Sequence, residues 1–277
     1  MTLKNKKLLL NILAIAFLCI GMIFLLMPFL WMILTSFKTG PEAVKAPPTW
    51  FPREWHPENY IEVFKTAPFA RYFVNTVIVA VGRTAVTLLV SILAAYGLSI
   101  LNFHGSKYIL LLFISMMMVP GEMLIIQNYI TVSRFGWLDT FTGMILPMAA
   151  SGMYVYMLRE TFMQIPINLR KAAKIDGCSD FKYLWKIVMP NSISTISTVG
   201  LLSIIGAWNG FLWPLMVTNS DAHRVLTIGL IQFNHEASSR INLQMAGSVF
   251  IILPILILYL CFRKQIIRGV AGGGIKG

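Results

Sequence analysis

The chain has 277 residues, 57% of them hydrophobic and only 12% charged, with a mean hydropathy of +0.72. A soluble core of this size would need far more charge on its surface, so the composition excludes a water-soluble globular protein and indicates an integral membrane protein. The formal net charge of +12 is an orientation signal and not a nucleic-acid footprint, because it is gathered on one side of the predicted spans.

Lys4, Lys6 and Lys7 precede an apolar run over 8–37 that contains Pro28. The run is far longer than a signal-peptide core and no small-residue cleavage site closes it, which predicts a retained first span entering from the cytoplasm. Residues 38–68, rich in Pro and Trp, form an outside loop with short surface helices. Tyr60, Val63 and Phe64 at i, i+3 and i+4 mark one of them. The second span covers about 72–101, carries Arg83, and returns at Asn102-Phe103-His104-Gly105. A third span over about 108–130 is interrupted by Val119-Pro120-Gly121-Glu122. A small outside loop at 131–140 leads to a fourth span over about 141–161, and a loop at 163–191 to a fifth over about 193–217. The outside loop 218–242, a sixth span over about 243–262 and a Gly-rich, basic tail at 263–277 complete the chain. Six spans with both termini cytoplasmic is the simplest all-α topology. Its inside segments hold fourteen Lys and Arg against three acidic residues, its outside segments eight against seven. Cys19, Cys178 and Cys261 all lie in spans or inside segments, so neither a disulfide framework nor a zinc site is expected.

The segment Leu169 to Pro190, LRKAAKIDGCSDFKYLWKIVMP, organises the rest. Arg170, Lys171, Lys174, Lys182 and Lys186 place it inside. Pro166 suits a first helical turn, and Leu169, Ala172 and Ala173 form a small apolar face. Gly177 sits where that helix should stop in a left-handed turn. A second helix, capped by Asp176 or Ser179, carries Phe181, Leu184, Trp185 and Val188 at i, i+3, i+4 and i+7. Pro190 ends it before the next span.

This loop resembles the signature of ABC importer permeases, which reads E-A-A-x-x-D-G-A, a spacer, an apolar pair and I-x-x-P. Ala172, Ala173, Asp176, Gly177, Leu184-Trp185, Ile187 and Pro190 match in register, while Lys171 replaces the leading Glu and Cys178 the last Ala. The resemblance extends over nearly the whole chain, to the carbohydrate-uptake branch and its shorter permease, as in maltose uptake. It rests on Pro28-Phe29-Leu30-Trp31-Met32, Asn75-Thr76, Ala95-Tyr96-Gly97-Leu98, Pro120-Gly121-Glu122, Ala207-Trp208-Asn209 with Phe211 and Pro214-Leu215, and the small-residue tail. Gly210 stands where the family often has Glu.

The resemblance implies a type I ABC importer permease fold and a multi-pass subunit of the bacterial cell membrane. It also implies a second homologous permease, two cytoplasmic ATPase subunits that hold the ATP and magnesium, and an extracellular solute-binding protein. Arg170, Lys171, Ala172, Ala173, Asp176, Gly177, Cys178 and Pro190 would then serve ATPase coupling. Gly272, Gly273, Gly274 and Lys276 of the tail would also touch the ATPase pair. Asp221, His223, Arg224, Asn234 and Arg240, with Asn219, offer polar groups to the binding protein. The substrate would be a sugar or oligosaccharide; a glycerol phosphate, a sialic acid or a peptide on the same machinery is the alternative, and an autonomous secondary carrier a further one.

Arg83 and Glu122 are the only charges at membrane depth, where a charge is costly unless paired or beside a wet cavity. They could pair along the translocation path, or Glu122 could cap donors freed at the Pro120 break while Arg83 reaches an interface. Trp208, Asn209 and Trp213 could stack on and hydrogen-bond a sugar, although Trp213 lies near the outer interface, where Trp anchors are routine. No phosphate-binding loop is present, so the chain does not hydrolyse ATP, and neither a nucleophile with its base nor a metal-ligand set is found. His235-Glu236 lacks the second His of a zinc helix, since residue 239 is Ser.

Overall fold

The computed structural model describes residues 3–101, 103–234 and 240–272. Among these residues the secondary structure is helical throughout. In chain order the helices are α1 (Leu3–Ser36), α2 (Gly40–Ala43), α3 (Glu58–Thr66), α4 (Phe69–Tyr96), α5 (Ser106–Met117), α6 (Ile125–Arg134), α7 (Phe141–Ile145), α8 (Gly152–Met163), α9 (Ile167–Ile175), α10 (Asp180–Tyr183), α11 (Met189–Asn191), α12 (Ile193–Trp208), α13 (Leu212–Val217), α14 (Leu226–Gly229) and α15 (Ile241–Gly272). Two π turns extend helices: Gly97–Leu101 prolongs α4, and Leu184–Val188 joins α10 to α11.

Among the described residues, three helices are long and apolar enough to cross a membrane: Leu10–Ser36, Phe69–Leu101 and Ile241–Arg263. Three further candidates are bent pairs, α5 with α6 (95°), α7 with α8 (52°) and α10–α11 with α12 (83°), so the count rises to six if each pair is one span. The α5–α6 bend falls at Pro120-Gly121, where proline removes a helical donor. Two interruptions lie inside segments expected to be continuous. The fourth candidate span breaks at 149–151, after the 3-10 turn Leu146–Met148 that extends α7, and the fifth breaks at Asn209-Gly210 between α12 and α13. The tail also departs from expectation, because α15 is a single helix running through Gly272, with Pro254 inside it. Residues 263–272, expected to belong to a Gly-rich, basic tail, continue that helix; Gly273, Gly274 and Lys276 lie outside the described residues.

The chain divides into two compact units, residues 1–69 with 229–253, and residues 70–228 with 254–277. In the first, α1 exposes every side chain from Leu10 to Leu30. Its end is fixed by polar contacts. Asn59 donates to the carbonyls of Ser36 and Lys38 (both 2.9 Å) and accepts from Asn242 (3.2 Å). Lys38, 1% exposed, donates to the Thr49 carbonyl and lies 4.3 Å above the Trp31 ring. Burial pushes its ammonium pKa down, against the pull of Glu42. Buried Phe69 and Phe233 stack on each other, and Phe69 meets the exposed Phe64, itself edge-on to Phe250, at the rim of this unit.

The second unit is built along α4. Its core joins Ile92, Ala95 and Tyr96 of α4 to Leu158 and Phe162 of α8, Val199 of α12, and Ala173, Leu184 and Val188 of the basic loop. The loop is therefore core on its inner side, not a connector laid over the unit.

Candidate functional site

The basic loop begins with α9, one residue later than Pro166, whose extended ψ of 129° makes it the residue before the helix. The stop is a Schellman motif. Cys178 N–H donates to the Ala173 carbonyl (2.8 Å) and Gly177 N–H to the Lys174 carbonyl (3.1 Å), with Gly177 at φ +69°. A Cβ at Gly177 would meet nothing within 4 Å, so glycine is required by backbone conformation and not by space. Of the two caps expected for the next helix, Ser179 serves: its hydroxyl accepts from Lys182 N–H at 3.3 Å. Asp176 is the C-cap of α9 instead. Pro190 does not end the second helix, which runs to Asn191. The preceding π turn widens the helix where the proline ring would meet the carbonyl four residues back.

The two faces of this loop differ sharply. Tyr183, Leu184 and Val188 are at most 2% exposed, and each fully buried aliphatic side chain is worth about 1.5–3 kcal/mol. On the other face Ile167, Leu169, Ile175, Phe181 and Trp185 are open, Ile175 at 87%. The expected apolar stripe of the second helix is thus split, with Leu184 and Val188 inside and Phe181 and Trp185 outside. Lys171, Ala172, Lys174, Asp176, Lys182 and Lys186 are exposed, and among the described residues none of the charged ones forms an ion pair.

Arg170 behaves differently from its neighbours. Its side chain is 21% exposed; one terminal nitrogen donates to the Ile100 carbonyl and the other lies 3.6 Å from Asp180. Tyr96, 5% exposed, donates to the Asp180 carbonyl (3.1 Å) and carboxylate (3.3 Å). Arg159 of α8 donates to the Leu98 carbonyl at 3.3 Å and pairs with Glu160 at 2.6 Å. These contacts close over the last turn of α4. The sequence showed Arg170 only as one of five loop cations and Tyr96 only as part of a resemblance; the Ile100 carbonyl and Asp180, 70 and 84 residues from them, leave no local signal.

The far end of α4 is gripped by the segment after α13. Tyr72 donates to Asp221 (2.6 Å), Asn75 to the carbonyls of Ala222 and Arg224 (2.9 and 2.8 Å), and Leu226 N–H to the Thr76 hydroxyl (2.9 Å). Asp139, at φ +55°, ties in the loop before α7. It accepts from Asn219 N–H, Ser220 N–H and the Ser220 hydroxyl at 3.1, 3.2 and 2.6 Å, and His223 lies 3.6 Å away, edge-on to Phe141. Burial works against the Asp139 carboxylate, yet these hydrogen bonds and the nearby His223 hold its pKa below the usual range. Asp221 also accepts from Arg224 (3.0 Å), and Arg240 lies 3.3 Å from Glu62. The polar groups expected to face outward are therefore engaged within the chain; the side chain of Asn234 lies outside the described residues.

Of the residues expected along the substrate path, Arg83 is half-buried, its Nε is without a hydrogen-bond partner, and no ion pair joins it to Glu122, which is exposed. Trp208 is 4% exposed and edge-on to Phe73. Trp213 donates its indole N–H to the Gly143 carbonyl (3.1 Å), which leaves no donor for a sugar. Asn209 is exposed at the break after α12. The described residues contain no group of three metal-ligating side chains.

A model of the family described as binding-protein-dependent transport system inner membrane component matches residues 6–271. The sulfoquinovosyl glycerol transport system permease protein SmoH of Agrobacterium fabrum is 34% identical over 254 residues, covering 91% of this chain and 89% of that protein. The trehalose/maltose transport system permease protein MalG of Thermococcus litoralis is 30% identical over 280 residues, covering 99% of this chain and 98% of that protein. A chain from the crystal structure of a bacterial ABC transporter involved in import of the acidic polysaccharide alginate superposes with a TM-score of 0.82 at 20% identity, covering 95% of this chain and 98% of the other.

Proposed function

Because the chain belongs to the binding-protein-dependent transport system inner membrane component family, we propose that it forms half of an alternating-access pore importing a sugar or oligosaccharide. A second, homologous permease supplies the other half. Two ATPase subunits, which hold ATP and magnesium, dock on the basic loop, and an extracellular binding protein delivers the solute. Six spans with both termini cytoplasmic put the loop on the motor side. ATP-driven closure of the motor displaces the loop, and the spans re-pack.

The observation that carries this reading is the two-faced loop. Its inner side is core of the second unit, while its outer side presents unpaired cations and open apolar residues around a glycine-terminated helix. An exposed apolar patch of that kind is what a partner covers. Arg170 supports this role from the inner side; Lys171, Ala172, Asp176 and Cys178 stand on or beside the exposed face. Gly272 and the tail residues Gly273, Gly274 and Lys276 form a second contact with the ATPase pair, and the exposed parts of Asp221, His223 and Arg224, with Asn234 and Arg240, meet the binding protein. Reconstituting the chain with its partners, then measuring ATP hydrolysis against loaded binding protein, tests the reading. A complex that hydrolyses ATP equally with and without Ile175→Asp would overturn it.

One observation favours a narrower substrate. Among the described residues Arg83 pairs with no carboxylate, and a cation at membrane depth marks a substrate or ion pathway. An anionic saccharide suits it better than a neutral one. In that case Arg83→Gln lowers transport of the charged solute while Arg83→Lys retains part of it; equal rates for Arg83→Gln and the parent would exclude the charge.

A further inference from the structure

We propose that Arg170, Asp180 and Tyr96 form a positioning ring that fixes α9 to the last turn of α4, so that displacement of the loop reaches that helix directly. The proposal rests on the docking of a motor to the outer face of the loop and concerns what happens on the inner face.

A helix leaves its last carbonyls without intrahelical donors, and the aligned peptide dipoles give that end a partial negative charge. The π turn at Gly97–Leu101 shifts the bonding pattern there. Two guanidinium groups answer that end of α4. Arg159 reaches the Leu98 carbonyl from α8, and Arg170 reaches the Ile100 carbonyl from α9. Only the second comes from the loop. A cation donating to carbonyls at a helix C-terminus is held by charge as well as by hydrogen bonding.

The ring closes through Asp180, the first residue of α10. Its carboxylate lies 3.6 Å from Arg170, and it accepts from the Tyr96 hydroxyl through both carbonyl and carboxylate. Both loop helices and α4 therefore share one polar cluster, set beside a buried apolar layer that includes Ala173 and Tyr183. Apolar packing alone is non-directional and would let the loop slide. The directional bonds resist sliding, and the Tyr96 hydroxyl is a handle whose removal leaves the packing in place.

The test uses the whole importer in nanodiscs, with Cys19, Cys178 and Cys261 replaced by Ser and one cysteine at exposed Leu93 of α4. Maleimide labelling is measured with and without Mg-ATP and vanadate. In the parent, trapping changes the labelling rate. Arg170→Ala and Tyr96→Phe should each shrink that change by about fivefold or more, the lower end of an ordinary coupling, while ATPase subunits still co-purify. Arg170→Lys, which keeps a cation and a donor near the Ile100 carbonyl, should retain more of it than Arg170→Ala, which a general loss of packing would not allow. A parent-like response in Tyr96→Phe and Arg170→Ala, or equal responses in Arg170→Lys and Arg170→Ala, overturns the ring while leaving docking intact. If Ile175→Asp fails to dislodge the ATPase subunits, the docking reading falls, and the ring as a coupling device falls with it.

Discussion

The two ends of α4 are held by loops of opposite design. From Tyr72 to Tyr96 the helix rises about 36 Å at 1.5 Å per residue. At its beginning, the segment around Asp139 and Asp221 turns nearly every polar group inward, onto α4 or onto itself. At its end, the basic loop turns in only Arg170 and Asp180 and leaves its remaining cations and five large apolar side chains uncovered. The first is a finished clamp. The second is, on the proposed function, half of an interface. Exposure of charge and apolar area together separates a surface awaiting a partner from one that serves the fold.

The largest effects should come from crossing between the two faces of the basic loop. Leu184→Ala opens a cavity among Val188, Phe162 and their neighbours and should cost about 2–5 kcal/mol, seen as a lower unfolding midpoint in detergent. Ile175→Ala, on the open face, should change stability by less than about 0.5 kcal/mol yet weaken co-purification of ATPase subunits. Equal stability losses would mean that the faces are not distinct. Between them lies Gly177→Val, expected to cost about 1–2 kcal/mol because φ is +69°. Gly177→Asn, which tolerates that conformation better, should lose less of both stability and ATPase coupling; matched losses in the two variants would point to side-chain bulk instead.

Gly177 was legible because glycine after a periodic run is a local signal, and Asp176-Gly177 lies one residue past the last helical position. The all-helical composition and the Pro120 break were legible for the same reason: their cause is in the neighbouring residues. The Asp139 cluster was not. Its partners stand 80 residues away, and nothing local distinguishes a carboxylate that will receive three hydrogen bonds from one left in water. The break at Asn209-Gly210 was hidden by flanking apolar residues, although Asn-Gly is itself a turn dipeptide. The continuation of α15 was missed because Gly269, Gly272 and the residues after them read as a tail, while Ile266, Ile267 and Val270 carry the apolar pattern onward.

The Asp139 clamp should respond to pH and to charge removal with a smaller change. Its folded-state pKa is held below the ordinary carboxylate value of 3.8. The stabilisation it supplies is therefore complete above about pH 4–5 and is lost as pH falls through the folded value. Asp139→Asn should lower the unfolding midpoint at neutral pH by the equivalent of about 1–3 kcal/mol. The gap between parent and variant should close below pH 3.8. A constant gap across that window would show that the carboxylate charge is not what holds the loop.

Arg224→Ala should be the mildest change. Its pair with Asp221 joins residues three apart, with side chains 31% and 52% exposed, and exposed pairs of this kind contribute about 0–1 kcal/mol. Asp221 keeps its hydrogen bond from Tyr72, so no buried group is orphaned. On the clamp reading, stability and ATPase stimulation by loaded binding protein should both stay near parental values. If stimulation falls while the unfolding midpoint holds, Arg224 touches the binding protein, and the beginning of α4 carries an interface as well as its end. Titrating binding protein against ATP hydrolysis, parent beside variant, separates the two: a rightward shift at equal maximal rate is a lost contact, and overlapping curves leave a clamp alone.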